Sequence, residues 1–237
     1  RCTHRRQRQM CIRDRPEIVQ KLYKSRQQRA FAGEDLAAAT SVLGFYSDLQ
    51  SLHSEDAITW SVFGTIANSP NDVRVGFVEE VFSKITPTLP APSTATISLW
   101  RRIPHPDTLV SGGPEIDFLI LTDRVLVLGE AKWLSSVGRG QGASRCKSQI
   151  DLRVEFVQKY GAAFFPSAET YVVLGASLGE PVVDELDVDA AGKELLLRDL
   201  SWSEFCSMRS HPQNKELMAY VDWKIAHSRI KNIPGIT

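Results

Sequence analysis

The chain predicts an α/β fold, and three observations carry that prediction. Apolar residues recur at helical spacing between 55 and 85. Three segments of β type follow between 94 and 133, the last containing Val125-Leu126-Val127-Leu128, which is apolar on both faces as a central strand is. A helix and then another apolar β run, 171–178, come after them.

Residues 16–53 read as a helical prefix. Gly33 separates a basic helix from a second one carrying Leu36, Val42, Leu43, Phe45 and Leu49, and the two are expected to pack antiparallel. Ser54 can cap a helix over 55–67, with Ile58, Val62 and Ile66 on one face and Trp60, Phe63 and Ala67 on an adjacent one. Asn71 or Asp72 opens the next, marked by Val75, Val78, Phe82 and Ile85. Pro87, Pro90 and Pro92 stop it. Strands are expected at 94–101, 115–121 and 125–133, with Gly112-Gly113-Pro114 separating the first two. A glycine-rich loop at 138–142 leads to a helix over 144–160, whose inner face holds Ile150, Val154 and Val157. A buried strand at 171–178 and a short one at 194–198 precede helices at 201–208 and 214–230.

The chemistry-bearing feature is the stretch PEIDFLILTDRVLVLGEAKW from Pro114 to Trp133. Residues i and i+2 share a face of a strand, so Glu130 and Lys132 project together while Ala131 points away. If Thr122, Asp123 and Arg124 close a hairpin, Asp117 comes level with Glu130. Two carboxylates and a lysine then meet at one end of an apolar ribbon. Ionised groups there are costly unless a site uses them. Hard oxygens of this kind suit Mg²⁺, and a neighbouring lysine can orient or deprotonate an attacking water. The expected chemistry is metal-assisted phosphodiester hydrolysis. A surface hairpin ending in a solvated Glu and Lys would carry the same triplet.

At these residues the chain resembles the PD-(D/E)xK nuclease superfamily, with Pro114-Glu115-Ile116-Asp117 in place of the short Pro-Asp form and Glu130-Ala131-Lys132 as the E-x-K. The order of helix, three strands, helix and strand within 54–178 is similar to the core of that superfamily. The resemblance implies a restriction-endonuclease-like mixed central sheet flanked by helices, with helical additions at both ends. It implies that Asp117 and Glu130 bind Mg²⁺ or Mn²⁺, that the Ala131 carbonyl is a further ligand, and that Lys132 is catalytic. The substrate would be nucleic acid, DNA rather than RNA, and a protein partner or a homodimer is left open. A member that keeps the fold and binds without cutting, and a helical interaction module with an incidental hairpin, are the competing readings.

Superfamily members commonly add an acid from the helix before the first strand. Glu55 precedes Ile58, Val62 and Ile66 at helical spacing, and SEDAITW is similar to that motif in several bacterial members. Glu55 is therefore the expected fourth site residue and a candidate metal ligand, ahead of Asp56, with Glu79 on the following helix as its competitor. Acids in a first turn also have a simpler reason, the helix macrodipole. On the helix after the E-x-K strand, Gln149 and Arg153 share one side. By the resemblance Gln149 points into the site, and Arg153 is expected to bind a phosphate oxygen of the substrate. An exposed helix edge would look the same. Lys147 reads as solvated, Trp133 as either a base-stacking residue or one packed beneath a helix, and Arg101, Arg102 and His105 as a small basic loop cluster. His53, His211 and His227 lack partners at metal-binding spacing, and the loop at 138–142 lacks the Lys-Ser/Thr of a phosphate loop.

Composition bounds the rest. With 237 residues, 43% of them hydrophobic, the chain can build one sizeable core. Arg5 to Asp14 read as the translation of a transposase sequencing adapter, so residues 1–14 are expected to be a scar, with the native amino terminus lost and 54–237 as the nuclease-like domain. Discarding them removes five arginines and one aspartate and leaves a formal charge of −4, so a basic DNA-gripping arm is not expected. Cys146 and Cys206 remain, too few for a disulfide framework or a zinc centre. No apolar run approaches the ~18 residues of a membrane span, so a cytoplasmic protein is expected.

Overall fold

The computed structural model describes residues 55–108, 113–134, 140–142, 145–190 and 192–227. The expected scar at 1–14, the helical prefix at 15–53 and the Ser54 cap lie outside the described residues.

The first helix, α1, consists of Glu55–Thr59, a π-helical turn Trp60–Gly64 and Thr65–Ala67; α2 is Asn71–Ile85. Three strands follow, β1 (Ala95–Arg102), β2 (Glu115–Thr122) and β3 (Val125–Ala131). Helix α3 is Gln149–Phe156 continued by a π turn Val157–Gly161 and Ala162–Phe164. Then come β4 (Thr170–Ser177), β5 (Leu186–Ala190), β6 (Lys193–Ser201), α4 (Trp202–Cys206) and α5 (Asn214–His227). The fold is α/β.

The six strands form one mixed sheet in the order β1-β2-β3-β4-β6-β5. The first three are antiparallel neighbours, β3, β4 and β6 run parallel, and β5 returns antiparallel at the far edge. Helices cover both faces. Phe118, Ile120, Val127, Val172 and Leu196 pack with Ile58, Val62, Phe77, Trp202 and Phe205 on one side. Leu119, Leu126, Leu128, Val173 and Leu195 pack with Phe156 and Val157 of α3 on the other. Every residue of β3 and β4 is buried, as the unbroken apolar runs require of central parallel strands.

Local chemistry explains where the elements begin and turn. Thr122 Oγ1 accepts from the backbone N–H groups of Arg124 and Val125, which closes the β2–β3 hairpin around Asp123 and Arg124. Helix α3 starts at Gln149, five residues later than its apolar pattern suggests, because Ser148 and Asp151 form a reciprocal capping box. The β5 strand was not expected. Its sequence LDVDA is polar and half exposed, as an edge strand is.

Trp100 departs from the regular ladder. The pairs Leu99↔Phe118 and Arg101↔Ile116 flank it, and its φ of 53° is rare for a bulky side chain. The indole is held by stacking on Trp60 at 6.1 Å and by donating to Asp56 Oδ1 at 3.1 Å. The first turn of α1 is thereby tied to the strand beside Asp117.

Candidate functional site

The site lies at the carboxyl-terminal end of β3. The last paired rung of the β2–β3 hairpin is Phe118↔Gly129, so Asp117 and Glu130 are the next residues outward on neighbouring strands. Asp117 Oδ2 accepts the backbone N–H of Ala131 at 2.9 Å, which holds the aspartate against the end of β3. Gly129 leaves room for the ring of Phe118, which a Cβ at that position would overlap. The hairpin can therefore close tightly one residue before the acids.

Glu130 is fully buried and sits between two cations. Its Oε1 is 2.6 Å from Lys132 Nζ, and its Oε2 pairs with Arg153 Nη2. Lys132 Nζ also donates to the Ala131 carbonyl at 2.9 Å and to Glu55 Oε1 at 3.4 Å. Backbone bonds fix this lysine: its N–H donates to Ala176 O on β4, and its carbonyl accepts from the indole of Trp202. The structure thus brings together Asp117, Glu130, Ala131, Lys132 and Glu55.

The other expected residues are placed differently. Arg153, expected to reach a substrate phosphate, is instead wholly buried; beside Glu130, its guanidinium donates to the carbonyls of Gln149 and Glu115, each at 3.0 Å. Burial beneath the sheet turns it from a substrate contact into a brace for Glu130. Gln149 supplies a backbone carbonyl to that brace. Glu79 is exposed on α2, beside Phe82, Leu89 and Pro90, and Asp56 receives the Trp100 indole. Trp133 is packed inside the protein, with Lys224 of α5 4.5 Å from its ring centroid. His105 and Lys147 both pair with Asp107, and His211 bonds the Val62 carbonyl. His53 lies outside the described residues, as does the side chain of His227.

Electrostatics mark the same cluster. Burial, and next the negative charge of Glu130, push the Asp117 carboxyl up to about 7, against the opposing pull of Arg153, Lys132 and the Ala131 N–H. For Lys132, burial alone would favour the neutral amine; Glu130, Asp117 and Glu55 together outweigh it and hold the pKa above the ordinary lysine range. The lysine is a firm cation here, suited to donating to a water rather than taking its proton.

Among the described residues no three acidic, histidine or cysteine side chains converge as a metal cage. Glu55 reaches the cluster through Lys132, whose ammonium lies 3.4 Å from its Oε1. What remains is two carboxylates and one carbonyl, all hard oxygens, the number that Mg²⁺ accepts when it keeps waters in its other positions. The ammonium of Lys132 already draws on the Glu130 and Ala131 oxygens, and a cation fits that donor set.

Trp100, Trp202 and the Glu115 carbonyl were missed by sequence reasoning. Their roles depend on partners 44, 70 and 38 positions away, and no local pattern signals them.

Comparison of the chain with protein-family models, with curated proteins and with solved structures gives no match. Among the described residues no helix is long and apolar enough to cross a membrane.

Proposed function

We propose that the protein is a divalent-metal-dependent nuclease of restriction-endonuclease-like fold that hydrolyses nucleic-acid phosphodiester bonds, DNA in preference to RNA. The observation that carries this reading is the meeting of Asp117, Glu130 and Lys132 at the end of a buried central strand. The element order supports it as well, with a helix, an antiparallel three-strand unit, a helix and then a parallel strand beside β3.

In this reading Asp117, Glu130 and the Ala131 carbonyl hold Mg²⁺ or Mn²⁺. The bound ion would supply positive charge to the phosphate and lower the pKa of a water. Lys132 orients that water by donation, Glu55 steadies the ammonium, and Arg153 fixes Glu130 in one rotamer. A bound ion would also offset the burial, and next the Glu130 charge, that hold the Asp117 proton in place near neutral pH.

A second reading, a fold that binds nucleic acid or protein without cutting, draws on one observation. Both oxygens of Glu130 are already paired with cations of the chain itself. The two readings separate in one assay, in which plasmid, single-stranded DNA and RNA are incubated with the purified protein in Mg²⁺ and in EDTA. Cleavage in Mg²⁺ alone is expected, reduced about a hundredfold or more by Asp117→Ala or Lys132→Ala, the scale on which loss of one transition-state contact acts. Undiminished cleavage by both variants would remove the site. Metal-independent binding with no cleavage by the wild type would favour the second reading.

A further inference from the structure

The sheet face that carries Asp117 and Glu130 continues past them, along β1 and β2, into the floor of a groove lined by Thr96, Ser98, Leu119 and Leu121. Thr96 and Ser98 of β1 pair with Leu121 and Leu119 of β2, and these four residues share one face. Asp117 is the next residue of β2 at that spacing, and Leu126, Leu128 and Glu130 continue the same face on β3. Because β1 is an edge strand, this face is open where α3 ends, and a cavity of about 690 Å³ lies there, inside the ~300–1,000 Å³ range of ligand sites.

Its lining is unlike a plain apolar trough. Phe164 and Phe165 stand on one side, with Phe164 55% exposed. Arg101 and Arg102 stand at the end nearest the acids, on the rungs opposite Ile116 and Glu115, directly beside Asp117. Both arginines are exposed; Arg102 pairs with Glu115 at 3.5 Å and donates to the Gly113 carbonyl at 3.4 Å, and the ion pair is a solvent-side contact of the kind an incoming phosphate displaces at little cost. Aromatic faces for bases and guanidinium groups for the backbone are what a single strand needs, whereas a stacked duplex hides its base faces.

We propose that this groove binds a single-stranded nucleic-acid segment, with bases against Phe164 and Phe165 and phosphates on Arg101 and Arg102, and delivers the strand to Asp117 and Glu130. The proposal rests on the nuclease reading and narrows its substrate to unpaired strands or splayed ends.

Fluorescence anisotropy with a short labelled oligo(dT), in EDTA so that binding is read without cleavage, tests it. The wild type should bind the oligomer more tightly than the matching duplex. Arg101→Glu combined with Arg102→Ala should weaken binding at least tenfold and lower the salt slope by about 1.4, the single-strand value for two phosphate contacts. Phe164→Ala should weaken it about tenfold while Phe164→Tyr retains it, since stacking on one aromatic is worth ~1–3 kcal/mol per base. Unchanged melting temperatures would exclude misfolding of these surface variants. Equal affinity for duplex and single strand, or wild-type affinity in both the arginine and the Phe164→Ala variants, overturns the groove. Loss of cleavage in Mg²⁺ with oligomer binding intact would instead remove the nuclease reading and leave the groove standing.

Discussion

Lys132 Nζ lies 2.6 Å from Glu130 Oε1, so the lysine meets the same oxygens that would receive a divalent ion. A tethered ammonium competes with that ion for Glu130 and for the Ala131 carbonyl. Lys132→Met should therefore bind Mn²⁺ about tenfold more tightly than the wild type, a gain of about 1.4 kcal/mol, even as cleavage is lost. Titration followed by electron paramagnetic resonance reads the free ion directly. Unchanged or weaker Mn²⁺ binding would mean that the lysine does not occupy the ion's position.

Asp117 makes stability depend on pH with a definite sign. Its folded pKa, about 7, lies above its ordinary value of 3.8, so between those values the folded state holds more of the proton than the unfolded state. Stability then falls as pH rises through that window. Asp117→Asn should raise the melting temperature by a few degrees at pH 8 and leave it unchanged near pH 4, as measured by calorimetry. The wild type should regain the difference when Mg²⁺ is added.

Arg153 and Glu130 form a wholly buried ion pair, and such pairs are destabilising to break from one side. Arg153→Met alone should cost about 3–5 kcal/mol by urea unfolding. Adding Glu130→Gln should recover part of that loss, because the buried carboxylate, left with Lys132 as its one remaining cation, is removed. Additive costs in the double variant would contradict a direct pairing.

Gly129 sets how closely β2 and β3 approach before the acids. A methyl group there would meet the ring of Phe118, which is itself stacked on Phe63 at 4.1 Å and cannot retreat freely. Gly129→Ala should cost about 1–3 kcal/mol as an overpacked core does. It should also weaken Mn²⁺ binding by moving Glu130, which a substitution of similar cost far from the hairpin would not do.

The strands that frame the site were readable because their signals are local. The apolar runs at 115–121 and 125–128, broken by Asp123 and Arg124, admit little besides a hairpin, and the i, i+2 spacing of Glu130 and Lys132 places both side chains on one side. The position of Glu55 was readable in part, since helical phase brings it to the end of the inward face but not to Lys132, 77 residues away. The burial of Arg153 was not legible for the same physical reason. Helix periodicity puts it at the edge of an apolar stripe, and only the packing of α3 on β3 and β4 decides that the edge lies under the sheet, where Glu130 needs a cation. The left-handed conformation of Trp100 has no sequence signal, because it follows from stacking on Trp60 and the bond to Asp56.

The most direct measurement is an anomalous-difference map from a crystal of the wild-type protein soaked in Mn²⁺. One peak is expected within coordination distance of Asp117, Glu130 and the Ala131 carbonyl, with the Lys132 ammonium displaced from them. A map with no peak there, with Lys132 still seated on Glu130 at saturating Mn²⁺, would contradict it.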